Sequence, residues 1–136
     1  MREISELIIH CTDTYADMDI HIDTVRRWHV DDNGWSDVGY HFLINRSGEV
    51  ELGRAEEVAG AHAAGRNAKS IGVAMVGGKA RDNEQATNFS VSQWHALEKL
   101  VTDLVERYPA AEVIGHNDCS AKACPTFNVK AWWGSI

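Results

Sequence analysis

The sequence predicts a single α/β (α+β) domain over residues 1–136, built as a central mixed β-sheet flanked by helices. Three observations predict it. Short apolar runs bounded by turn residues alternate with longer segments of helical period. Two of the runs, YHFLIN and EVELG, are separated only by RSG, the pattern of an antiparallel hairpin. Proline occurs only at positions 109 and 125, and no Pro-, Gly- or Ser-rich linker divides the 136 residues, a length suited to one core.

The elements follow in order. ISELII (4–9) is a short apolar run ending at His10, the signature of a buried strand. Asp19 is placed to cap a helix over about 20–32, where Ile22, Val25 and Trp28 fall at helical spacing and Asn33-Gly34 supplies the stop. The hairpin comes next, then IGVAMVG (71–77) as a second buried strand. Ser90-Val-Ser-Gln93 has the form of a capping box. The helix it opens carries Trp94, Leu97, Leu100, Val101, Leu104 and Val105 on one face and stops at Pro109. AEVIG (111–115) is a final strand ending just before His116, and Asn128 is placed to cap a short last helix, VKAWW.

Composition narrows the function classes. A hydrophobic fraction of 44% and a charged fraction of 24% are those of an ordinary globular chain. A net charge of −7 argues against nucleic acid and against anionic lipid, both of which reward Lys and Arg. No apolar run approaches the ~20 residues that span a bilayer, so no membrane insertion is expected. MREISELIIHC lacks the basic and long apolar regions of a secretory signal, and the protein is expected to remain in the cytoplasm of the cell that makes it. Three cysteines, Cys11, Cys119 and Cys124, make a poor disulfide framework.

The chemistry concentrates near strand ends. His10 and His116 each follow an apolar strand directly, and a sheet can bring two such imidazoles side by side. His21, His29 and His95 lie in expected helices and read as structural. Two histidines and a cysteine suit zinc, with three protein ligands leaving a fourth position for water. Cys11 follows His10 along a strand, so it points to the opposite face and reads as a core thiol. Cys119 and Cys124 both remain candidates for the third ligand at this level. Amide hydrolysis also needs donors for the developing oxyanion. Tyr40, after the Gly39 turn, and Lys122, in the loop before Cys124, are such donors. A half-buried strand tyrosine and a solvated loop lysine are the bland alternatives.

Four blocks, IIHCTDT, GWSDVGYHFLINRSGEVELGR, GAHAAGRNAKSIGVAMVGG and GHNDCSAKACPTFNVKAWW, occur in this order. Together they resemble the zinc-dependent N-acetylmuramoyl-L-alanine amidases of the phage-lysozyme type, relatives of the peptidoglycan recognition proteins. The likeness runs from about residue 7 to 133. It implies a groove holding one zinc ion and cleavage of the amide between the lactyl group of N-acetylmuramic acid and L-alanine of peptidoglycan. It implies His10, His116 and Cys124 as metal ligands, Tyr40 and Lys122 as catalytic residues, and His62 as a groove residue that touches substrate. One departure stands out. NDCSA precedes the lysine, which places Cys119 near the metal as an extra thiol.

The reading favoured is a phage endolysin, a monomer that accumulates in the host cytoplasm before release to the cell wall and finds peptidoglycan through its own groove. Relatives that only bind peptidoglycan tend to lack the cysteine, so retaining Cys124 argues for an enzyme. The alternatives are a non-catalytic recognition module, or a cytoplasmic amidase of cell-wall recycling. Some lysozymes of this type also bind a phage RNA polymerase, a partner that no residue pattern here specifies.

Overall fold

The computed structural model describes residues 2–136. Its centre is a five-stranded mixed sheet. The strands are β1 (Glu6–Cys11), β3 (Phe42–Ile44), β4 (Val50–Leu52), β5 (Ser70–Met75) and β7 (Glu112–Gly115), in the order β4-β3-β5-β1-β7. β1 runs parallel to both β5 and β7, and β3 is parallel to β5. Only β4 is antiparallel, paired to β3 through the expected hairpin. A second, two-stranded sheet joins β2 (Thr14–Tyr15) to β6 (Gly78–Lys79). It is absent from the expectations above because two residues carry no periodicity.

Parallel strands are covered on both faces, which is why β5 is buried along its whole length. One face packs Leu7, Ile9, Cys11, Ile71, Val73 and Met75 under the helices α2 (Val91–Arg107) and α3 (Val129–Gly134). The capping box that opens α2 is present. The Ser90 hydroxyl accepts from Gln93 N, and the Gln93 side chain accepts from Ser90 N. Asn128 caps α3 by accepting from Ala131 N at 3.0 Å. The other face packs Val25 of α1 (Ile22–Arg26) with Val38, Leu43 and Ala74. Among the described residues no helix is long and apolar enough to cross a membrane.

The first helix differs from its expected form. It starts at Ile22, and Asp19 does not cap it; the Asp19 carboxylate lies 2.8 Å from His21 Nε2 instead. Glu51 of β4 does the capping from across the fold, accepting from Ile22 N at 3.1 Å. The tertiary neighbour displaces the local one. Beyond Arg26 the chain continues as a π-helical turn, Arg27–Asp32, and ends at Asn33 with Gly34 at φ +74°.

His21 sits between Glu51 and Asp19, and these carboxylates raise its pKa, Glu51 most. The protonated ring is favoured by folding. Its stabilisation is therefore complete below the ordinary histidine value of about 6.5 and is lost as pH rises through the raised folded value. His21→Gln is expected to lower the melting temperature near pH 5.5 and to match the parent near pH 9. Equal losses at both would contradict this assignment.

Candidate metal centre

Register brings the two strand-end histidines together. Ile9 of β1 lies opposite Gly115 of β7, so the next residues, His10 and His116, emerge side by side. Their ring centroids are 4.4 Å apart. His116 opens a 3-10 turn, His116–Asp118, anchored where Asp118 accepts from Gly115 N at 2.8 Å. The chain then loops back to place Cys124 over the end of β1. Asn117 holds that loop by donating to Phe127 O at 3.1 Å. Thr126, at φ +82°, makes the tight turn just after Cys124, and its N–H donates to Ala123 O at 2.7 Å.

One ligand atom each from His10, His116 and Cys124 falls within 4.8 Å of the other two. A tetrahedral ion with donors about 2.0–2.3 Å away needs separations of roughly 3.3–3.8 Å, within reach of small side-chain rotations. The donor set, two imidazoles and a thiol with no fourth donor among the described residues, fits zinc with an open position. The three residues line a cleft of about 520 Å³, and Tyr40, His62 and Lys122 line it as well. The cleft lies beyond the carboxyl ends of parallel strands, where open α/β sheets bind ligands.

Burial sets the protonation states. It holds His10 well below the usual histidine pKa and lowers His116, and the charge of Lys122 pushes both further down. Both rings are thus neutral at neutral pH, as ligands must be. The Cys11 thiol and burial push the Cys124 thiol up, so a cation held there would have to displace its proton. The Cys11 N–H donates to Cys124 Sγ at 3.1 Å and would support the thiolate of a bound state. Burial also raises the Tyr40 phenol far above its ordinary value. Tyr40 is therefore a permanent hydrogen-bond donor, and its ring centroid lies 5.2 Å from that of His10. Lys122 is exposed on the rim, within reach of the same cleft.

Cys119 departs from its expected place. Its thiol packs against the cluster of Ile8, Ala63 and Ile114 and donates to His116 O at 3.5 Å; it is neither among the three converging donors nor on the cleft lining. The 3-10 turn after β7 carries it off the cleft. Cys11 is the core thiol expected on the opposite face, though its backbone and side chain both attend Cys124. His62 lines the cleft as expected, but both its ring nitrogens are engaged inside the protein, by His10 and Ser70.

His29 was expected to be structural, and it belongs to the cleft wall. The π-helical turn rotates it there, where Nδ1 accepts from Gly39 N at 2.8 Å and the ring lies 5.5 Å from Tyr40. It thereby braces the turn that presents Tyr40. Helical spacing offers no signal for this, because one extra residue in a turn changes the face of everything after it.

Known proteins align with this architecture. The family model described as N-acetylmuramoyl-L-alanine amidase matches residues 1–127. An endolysin of Klebsiella phage KP32 is 44% identical over 133 residues, covering 97% of this chain and 87% of the relative. The endolysin of Escherichia phage T7 is 41% identical, with the same 97% and 87% covered. Among solved structures, the N-acetylmuramoyl-L-alanine amidase LysC from Clostridium intestinale superposes with a TM-score of 0.80 at 26% identity, covering 98% of this chain and 87% of that one. A strand register that seats two histidines beside a cysteine, on a fold shared with these proteins, has one consistent reading: the chain belongs to the N-acetylmuramoyl-L-alanine amidase family.

Proposed function

We propose that the cleft hydrolyses the amide between the lactyl group of N-acetylmuramic acid and L-alanine in peptidoglycan, as the lytic enzyme of a phage, with one zinc ion on His10, His116 and Cys124. The observation that supports this most is the convergence of those three donors in a cleft that Tyr40 and Lys122 also line. When bound, zinc supplies Lewis acidity and an activated water. The chain's own residues do the rest. The Tyr40 hydroxyl donates to the carbonyl oxygen as it gains charge, and the Lys122 ammonium balances that charge from the rim. Lys122 also has protons to give to the departing alanine amine. Cys11, through its N–H, holds the Cys124 sulfur in place and would favour the thiolate that a bound ion requires.

The test is release of new alanine amines from purified sacculi, with zinc, with a chelator, and in Cys124→Ser. Amines are expected only from zinc-loaded protein with Cys124 intact. Cys119→Ser serves as the control and is expected to keep both zinc and activity, because Cys119 is outside the converging donor group and the cleft lining. Loss of zinc in that variant would move the third ligand to Cys119. A folded protein that binds sacculi but releases no amine would be a recognition module instead.

A further inference from the structure

We propose that His62, backed by Ser70, is a positioning residue that fixes the ring of His10 and presents its Nδ1 to the metal. The inference rests on the zinc reading above and assigns His62 a task other than contact with substrate.

His62 Nδ1 lies 2.8 Å from His10 Nε2, and His62 Nε2 lies 3.1 Å from Ser70 Oγ. Ser70 is fully buried at the start of β5. A neutral imidazole has one donor and one acceptor nitrogen, so the chain of three groups has two possible directions. In one, Ser70 donates to His62 and His62 donates to His10 Nε2. His10 then carries its proton on Nδ1, and neither of its nitrogens is open to a cation. In the other, His10 Nε2–H donates to His62 Nδ1, and His62 Nε2–H donates to Ser70 Oγ. This direction alone leaves a lone pair on His10 Nδ1, and a cation selects it. Ligating histidines commonly donate their second N–H to a carboxylate or carbonyl, which fixes the tautomer. Here a second imidazole takes that place.

The surroundings hold His62 in this role. Asn67 Oδ1 accepts from the backbone N–H of His62 at 2.9 Å and of Ala63 at 3.0 Å, fixing the segment that carries the ring. The ring lies flat against β5 at Gly72, where an added Cβ would stand 2.6 Å from His62 Cγ. Any other residue at 72 would force the ring off His10.

The experiment compares zinc affinity, by competition with a chromophoric chelator, in the full chain and in His62→Ala and His62→Asn. The Asn side-chain oxygen occupies roughly the place of Nδ1 and can accept from His10. His62→Ala is expected to bind zinc on the order of 10–100-fold more weakly, and His62→Asn to recover most of that loss. Nitrogen-15 NMR of the zinc-loaded parent protein is expected to show the His10 proton on Nε2, a signature that needs no variant to fold. Parent-like zinc affinity in a folded His62→Ala, or a His10 proton on Nδ1 with the metal on Nε2, would overturn the positioning role while leaving the amidase reading intact. Failure of the parent protein itself to bind zinc would overturn both.

Discussion

Lys122→Ala and Tyr40→Phe are each expected to lower amide turnover by on the order of 10²–10³, the usual cost of one oxyanion donor. Each is expected to leave folding and zinc content unchanged. The reasoning is local. Among the described residues the Tyr40 hydroxyl makes no hydrogen bond that holds the fold together, and burial keeps its proton in place. Lys122 stands exposed on the rim, and its charge reaches the centre without a structural partner among the ion pairs of the described residues. The loss is expected mainly in kcat, since both groups act as charge develops. Removing Lys122 also relieves the push it exerts on His10 and His116. Zinc binding in Lys122→Ala should therefore be equal or slightly tighter while turnover falls. A variant with near-normal kcat would remove that residue from the mechanism, and a variant that lost zinc would reassign it to structure.

Gln93→Ala is expected to carry the largest stability loss, about 3 kcal/mol, the upper end of the cost of about 1–3 kcal/mol for a buried group left unsatisfied. Gln93 is fully buried on α2. Its amide N–H groups donate to Val76 O at 2.8 Å, just past the end of β5, and to Ile44 O at 3.2 Å, at the end of β3. Its oxygen accepts from Ser90 N at 2.9 Å and from Arg46 Nη1 at 3.0 Å. One side chain thus closes the helix cap and pins the helix to two strands. Truncation strands the Val76 carbonyl, while Ile44 O keeps the Val76 N–H at 3.0 Å and Arg46 keeps Asn88 O at 2.8 Å, against a typical total stability of about 5–15 kcal/mol. Urea unfolding of zinc-free protein checks this, with Ser90→Ala, which loses the cap and the hydroxyl's bond to Arg46 O at 2.7 Å, as the reference at about 1 kcal/mol. A Gln93→Ala loss no larger than that of Ser90→Ala would mean that the cap is its whole contribution.

Gln93 also shows where local reasoning stops. The motif Ser90-Val-Ser-Gln93 announces a helix start, because a capping box is made within four residues. The bonds from the same amide to β3 and β5 span 49 and 17 positions and leave no mark on the motif. Asp19 is the converse case. It has the right residue type at the right offset, yet Glu51, arriving from β4, takes the helix N-terminus. Proximity in sequence decides a cap only when no better acceptor is brought in from elsewhere.

The sequence by itself determined the strands that carry His10 and His116, the hairpin, the long capped helix and, through the order of four motif blocks, the family and its expected chemistry. These are properties of periodicity and residue type, which local chain geometry reads directly. Tertiary structure alone decided which groups touch. Parallel pairing of β1 with β7 set Ile9 against Gly115 and so placed the two histidines together. A 3-10 turn carried Cys119 away from the centre, a π-helical turn brought His29 into the cleft wall, and Gly72 made room for His62 beside His10. Contacts of this kind depend on strand register and on single-residue rotations of a turn, and a shift of one residue in either moves a side chain to another face.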